Sequence, residues 1–244
     1  MRLTPRIATL LAVATLPLAL TACSSGTSGS SGSSGSSSDT GASSQAADAK
    51  DPNAGLATGT QLKKALAPPS AFPAGFTREA DGASDSGGQF LSPSSRKTAK
   101  PECTKLESTS WIQVTGYEGG VSFAQDDYAN KDKTEETAQE IDEFQGATAE
   151  AVMKQLRSVA AECATFTDTQ AHAKVKVTGK ATAGLGDEAY TMTVTSAAWQ
   201  NGTTLVAARS GQAVVTVLST AGSDNGATSA HKLTRRLLTS LKTA

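Results

Sequence analysis

The chain has little of what chemistry requires. It is 244 residues long and carries only two histidines. It contains no H-E-x-x-H, no G-x-S-x-G and no P-loop. An enzyme needs a nucleophile, a base and a charge stabiliser within reach of one another. His172, in a polar loop ahead of a strand, and His231, in the first turn of a basic helix, read as solvated surface residues. The expectation is a non-catalytic protein with no cofactor and no metal site. Charge of one sign is also missing: the formal net charge is −1. A nucleic-acid binder would show a basic stripe, so that class is excluded. Long hydrophobic runs are absent too. Residues 7–20 are nearly all apolar, but fewer than the roughly 20 that a spanning helix needs.

That short run has a context. Arg2 and Arg6 precede it, and small residues and Cys23 follow. The order is that of a secretory signal peptide over 1–22. Leu20-Thr21-Ala22-Cys23 resembles the lipobox of bacterial lipoproteins, which implies that Cys23 is acylated and becomes the mature N-terminus. The alternative is an ordinary signal peptide beside an incidental cysteine. Residues 23–55 are rich in Ser and Gly, with no apolar side chain large enough to offset ordering entropy. They read as a flexible tether with an r.m.s. span of about 30 Å. The expected location is the outer face of the cell membrane, held by the lipid.

Of three cysteines, Cys103 and Cys163 remain after Cys23, an even pair in an exported, oxidising context. A disulfide is the favoured reading. Free thiols or a metal site are the alternatives, and the pair lacks the nearby His spacing of a zinc site. The two are also not spaced C-x-x-C for redox work.

About 185 residues beyond the tether suit one domain, taken as 56–244. Leu62, Ala65 and Leu66 mark a short helix, stopped by Pro68 and Pro69 and followed by an apolar strap through Phe72 and Phe76. "WIQVTGY" (111–117) alternates like a strand, with Ile112 and Val114 on one side. "VSFAQDDY" (121–128) alternates again. Residues 138–144 read as strand or helix, because Ile141 and Phe144 are three apart. Val152, Leu156, Val159 and Cys163 form the apolar stripe of a helix over 147–166, with Thr148 as its expected N-cap. "KVKV" (174–177) is a strand. Residues 189–219 read as a three-stranded meander turned at Asn201-Gly202 and Ser210-Gly211. Its first strand has a buried face of Tyr190, Met192 and Val194 and a wet face of threonines. Leu233, Leu237 and Leu241 mark a last helix. The class is α+β: an antiparallel sheet with two main helices packed on one face and one disulfide.

The opening helix with "PPSAFPAGF", the strand, Phe144 and helix ending in Cys163, and "GLGDEAY" (184–190) resemble actinobacterial sensor-domain lipoproteins. The wider group is similar to the PknH-like extracellular sensor domain. The resemblance implies a curved antiparallel sheet, a central cleft and a ligand-sensing or binding role. This chain departs from it with one cysteine pair where the kinase sensors carry two, and with no kinase or spanning helix.

Four features are left as candidate sites. Aromatics make up 5% of the chain. Trp111, Tyr117 and Tyr190 would stack a sugar or apolar ligand if they line a concave face; packing under the helices is the alternative. Trp199 reads as an exposed hairpin tip that would touch membrane or partner. The acidic stretch 126–143 would take Ca²⁺ or a cationic partner as one reading, but it lacks the alternating ligands and glycine of a calcium loop, and a solvated hairpin tip is the favoured one. Asp187-Glu188 reads as a turn entering the strand at 189, with a pair of ligand groups as the alternative. The expected function is membrane-anchored binding of an unknown small molecule or cell-envelope component. The alternative is a structural lipoprotein docking another envelope protein.

Overall fold

The computed structural model describes residues 51–94, 101–107, 109–169 and 171–243. The signal-peptide and lipobox readings, Cys23 and the tether through residue 50 lie outside the described residues. The compact unit starts at Asp51, five residues ahead of the boundary drawn from composition. Asn53 is fastened there: its Oδ1 accepts from Gln145 Nε2 at 2.7 Å.

Helix α1 (Gly59–Ala65) is opened by a capping box between Thr58 and Gln61. The strap beyond it leads to two short strands, β1 (Thr77–Arg78) and β2 (Ser84–Asp85). Strands β3 (Ser122–Ala129) and β4 (Glu136–Glu143) form a hairpin. Helix α2 (Thr148–Glu162) follows, then β5 (Thr165–Thr167), β6 (Lys174–Ala181), β7 (Glu188–Ser196), β8 (Thr203–Ser210), β9 (Ala213–Ser219) and α3 (Ala227–Leu241). The sheet runs β1-β3-β4-β9-β8-β7-β6-β5, with β2 also paired to β3. Every pairing is antiparallel. The α+β class, the antiparallel sheet and the disulfide are as the sequence leads one to expect.

Alternation along β8 shows how the sheet is covered. Leu205 and Ala207 enter one core with Val152, Met153, Leu156 and Val159 of α2. Val206 and Ala208 enter a second core with Leu62 of α1 and Leu233 and Leu237 of α3. Successive side chains of a strand point to opposite faces, so α2 covers one face and α1 and α3 the other. This corrects two expectations: the two main helices lie on opposite faces and not on one, and β7 has no fully wet face. Ala189 and Thr191 are buried there, because the α3 side covers them.

Two further expectations are corrected. Residues 109–115 form a 3-10 helix, not a strand; Gly116, at φ +86°, ends it. Ala147, not Thr148, occupies the cap position of α2, and no side chain caps that end. Residues 138–144, left open between strand and helix, are strand: they lie in β4 up to Glu143. Cys103 and Cys163 form a disulfide with Cα atoms 5.5 Å apart. It ties a 3-10 turn over Cys103–Glu107 to the end of α2. In "GLGDEAY", Gly186 has φ +59°, and a Cβ there would sit 2.1 Å from the Arg209 carbonyl oxygen. Only glycine fits that close approach.

The two sheet edges are closed differently. Along β3, the outer backbone is taken by β1 and β2, by Leu91 N–H on Val121 O at 2.6 Å, and by Glu79 N–H on Asp127 O at 2.8 Å. At the other side β5 pairs only with Lys174–Lys176 of β6. Val177 beyond it is buried, with its N–H on Ala164 O at 2.9 Å, and residues 178–181 are exposed and include Lys180.

Candidate functional site

A pocket of about 130 Å³ lies beside the N-terminal end of α2. Tyr117, Val121 and Phe144 form apolar walls, and Ser94, Gln145 and Thr148 add polar atoms. Tyr117 follows the Gly116 turn, and Val121 leads into β3 with its N–H on Glu143 O at 2.7 Å. Phe144 donates its N–H to Gln212 O at 3.0 Å. The walls are therefore set by the junction of β3, β4 and α2. Drug-sized ligands occupy roughly 300–1,000 Å³, so this pocket takes a small group or one ring of a larger ligand.

The aromatic candidates separate. Tyr117 is in the pocket. Tyr190 lies on β7, with its ring over Gly179 of β6, and does not line the pocket. Trp111 belongs by its backbone to the 3-10 helix, and its side chain lies outside the described residues. Trp199 is not an exposed tip. It packs on the α2-side core, and its Nε1 donates to Asp168 Oδ2 at 3.3 Å. Asp187 and Glu188 enter β7 as expected, and both serve an ion network. Arg209 Nε donates to Glu188 Oε1 at 2.9 Å and Nη1 to Asp187 Oδ2 at 3.2 Å, while Arg157 of α2 also meets Glu188. Burial pushes the Glu188 carboxyl up, but its two arginines outweigh that and hold it below the usual range. His172 is exposed. His231 is half-buried, with its pKa lowered by desolvation and then by Arg235 and Lys180.

The acidic stretch is the larger surprise. The hairpin tip around Lys131–Thr134 is solvated, but the carboxylates on the strands are not. Asp126 and Asp142 are buried, and Asp127, Glu140 and Glu143 are partly buried. On the α1/α3 face, Asp126 is well served. It accepts from Gln139 Nε2 at 2.6 Å, and Arg78 Nε lies 3.3 Å away. Gln139 also exchanges hydrogen bonds with the backbone N–H and carbonyl of Ala67, at 2.9 and 3.0 Å. That network pins the strap, helped by Phe72 stacked on Tyr128 at 3.7 Å.

Asp127, Glu140 and Asp142 project from the opposite face. Asp127 Oδ1 and Asp142 Oδ2 are buried without hydrogen-bond partners. Desolvation pushes Asp127 up to about 7, with Glu136, Asp126 and Glu79 adding repulsion. Desolvation likewise drives Glu140 well up, with Asp142 and Asp127 adding to it. It raises Asp142 too, against the Gly120 N–H that favours its charged form. Sequence reasoning missed this set. The signal was polar residues on both faces of two strands that lie inside the sheet. No protein-family model matches the chain, and no match is found among curated proteins.

Proposed function

We propose that the chain is a lipoprotein anchored by its lipid to the outer face of the cell membrane. Its sensor-like α+β domain binds a small molecule or cell-envelope component without transforming it. The Tyr117 pocket carries the binding half of this reading: an aromatic ring, two apolar walls and a few polar atoms in one concavity are the common make-up of a ligand subsite. The anchor half rests on the 1–23 pattern, and a disulfide suits an oxidising compartment. Docking of another protein through an apolar patch has less support. Leu91 is the one exposed large hydrophobic residue among those described, well short of a contiguous apolar patch.

Native mass spectrometry of the full mature chain, exported from an actinobacterial host, tests the binding half. A co-purified non-protein mass is expected, lost when Thr148→Trp fills the pocket from its rim. A mass that survives that substitution, or no mass at all, removes the pocket as the site. Cys23→Ala tests the anchor: the variant is expected in the medium, without incorporated fatty acid. Retention of the variant in the membrane fraction overturns that half.

A further inference from the structure

Glu140 and Asp142 are two residues apart on β4, so their side chains leave the same face. The strand therefore sets the two carboxyl groups beside each other on the α2 side of the sheet. Asp142 is fully buried. Its Oδ1 accepts the Gly120 N–H at 2.8 Å, and its Oδ2 receives no protein donor.

The surroundings do not neutralise the pair. From β3, Gln125 stands opposite Glu140, Phe123 opposite Asp142, and Asp127 lies diagonally. From β9, Thr216 stands opposite Glu140 and Val214 opposite Asp142. The 3-10 helix packed on β4 brings Ile112, Val114 and Thr115 among its described side chains, none of them titratable. Arg209, on the strand beyond β9, is taken by Asp187 and Glu188. Glu79, Asp126 and Glu136 add negative charge near Asp127. Among the described residues, no Lys or Arg pairs with Asp127, Glu140 or Asp142.

Two ionised carboxylates offer only acceptors. Contact between them is attractive only when something positive lies between, and like charges sharing a site raise one pKa strongly. A metal ion is one answer. Among the described residues, however, no three His, Cys, Asp or Glu side chains are placed to hold one. A proton is the other. We propose that Glu140 and Asp142 bind one proton between them as an acid–carboxylate pair, and that this proton sets the Gly119–Gly120 turn beside the Tyr117 pocket. Glu140, less deeply buried, holds the proton and donates to Asp142 Oδ2. Asp142 keeps its charge on the Gly120 N–H. When the proton leaves, two like charges face each other, Glu140 turns towards solvent, and the turn shifts with Asp142. A Cβ on Gly119 would lie 3.5 Å from Asp142 Oδ1, so the pocket wall follows that side chain closely. The pocket's role as ligand site rests on the reading above; the shared proton does not.

A carboxyl-carbon NMR titration of the full mature chain, with the Gly120 amide followed in parallel and no ligand present, tests the pair. The Glu140 and Asp142 carbons are expected to titrate jointly in two steps, with one proton retained above about pH 6. The Gly120 amide is expected to move with the second step. Glu140→Gln supplies a permanent donor. It is expected to leave Asp142 a single step and to cut the Gly120 pH response by more than about half. Asp142→Asn likewise makes Glu140 a single step. Independent titration of both carboxyls below about pH 5 overturns the proposal. So does a Gly120 response unchanged in Glu140→Gln. The wild-type titration alone decides the matter if a variant fails to fold.

Discussion

Asp126 and Asp127 are consecutive residues of one strand, and they meet opposite fates. Asp126 faces the α1/α3 side, where Gln139 and Arg78 receive it. Asp127 faces the α2 side, where Oδ1 finds no partner. Gly82 lies against its Cβ, so close that a Cβ added there would come within 2.7 Å. The strand supplies the same backbone to both, so what differs is the far side of each face. The α1/α3 side is finished: its polar groups hold the strap in place. Across β3 and β4, the α2 side is left with buried acids that are stable mainly as acids.

The comparison can be broken from either side. The largest expected effect is removal of the disulfide that staples the α2 side. Cys103→Ser with Cys163→Ser is expected to cost about 4 kcal/mol, from the chain-entropy value for its sequence separation of 60, measured by urea unfolding. Next is Gln139→Ala on the finished side. It strands Asp126 Oδ1 and both backbone groups of Ala67, and a loss of about 2–3 kcal/mol is expected. A loss under about 0.5 kcal/mol would mean the strap holds without this network. The last effect has the opposite sign. The folded Asp127 pKa, about 7, lies above its ordinary value of 3.8. Between those values the folded chain binds more protons than the unfolded one, so stability falls as pH rises. Asp127→Asn removes that fall. It is expected to match wild type near pH 4 and to exceed it near pH 8, by at most about 4 kcal/mol for a rise of roughly three pKa units. A variant less stable at the higher pH would show that the Asp127 charge is welcome after all.

Much of this fold is legible in the sequence, and the limits have physical causes. The α2 stripe of Val152, Leu156, Val159 and Cys163 repeats over three turns, which tertiary context does not easily override. The meander is punctuated by Gly202 and Gly211. Residues 111–117 offered only Ile112 and Val114 as alternating apolar positions. Two positions fit a strand or a tight helix equally, and what decides is a ladder partner, which sequence does not display. The second covered face of β7 was hidden for a similar reason: Thr191 reads as wet until α3 lies over its side of the sheet. Of the candidate site residues, Cys103 and Cys163 pair as read. Tyr117 reached a pocket because it follows a glycine turn, whereas Tyr190 is bound by register to lie over Gly179. The acidic pair was invisible because charge suggests solvent. Burial of Asp142 follows from β9 pairing beside β4, an assembly between segments about 70 residues apart in the chain.

The closed edge of β3 has a consequence for crowding. An unpaired strand edge is a template on which another chain can extend the sheet. Here β1, β2 and single bonds from Glu79 and Leu91 use up the template on one side. On the other, a short β5 and lysines at 174, 176 and 180 discourage a neighbour. On the anchor proposed above, copies tethered to one membrane would meet at high local concentration in a plane. With both edges guarded in this way, such copies would collide without growing into a shared sheet.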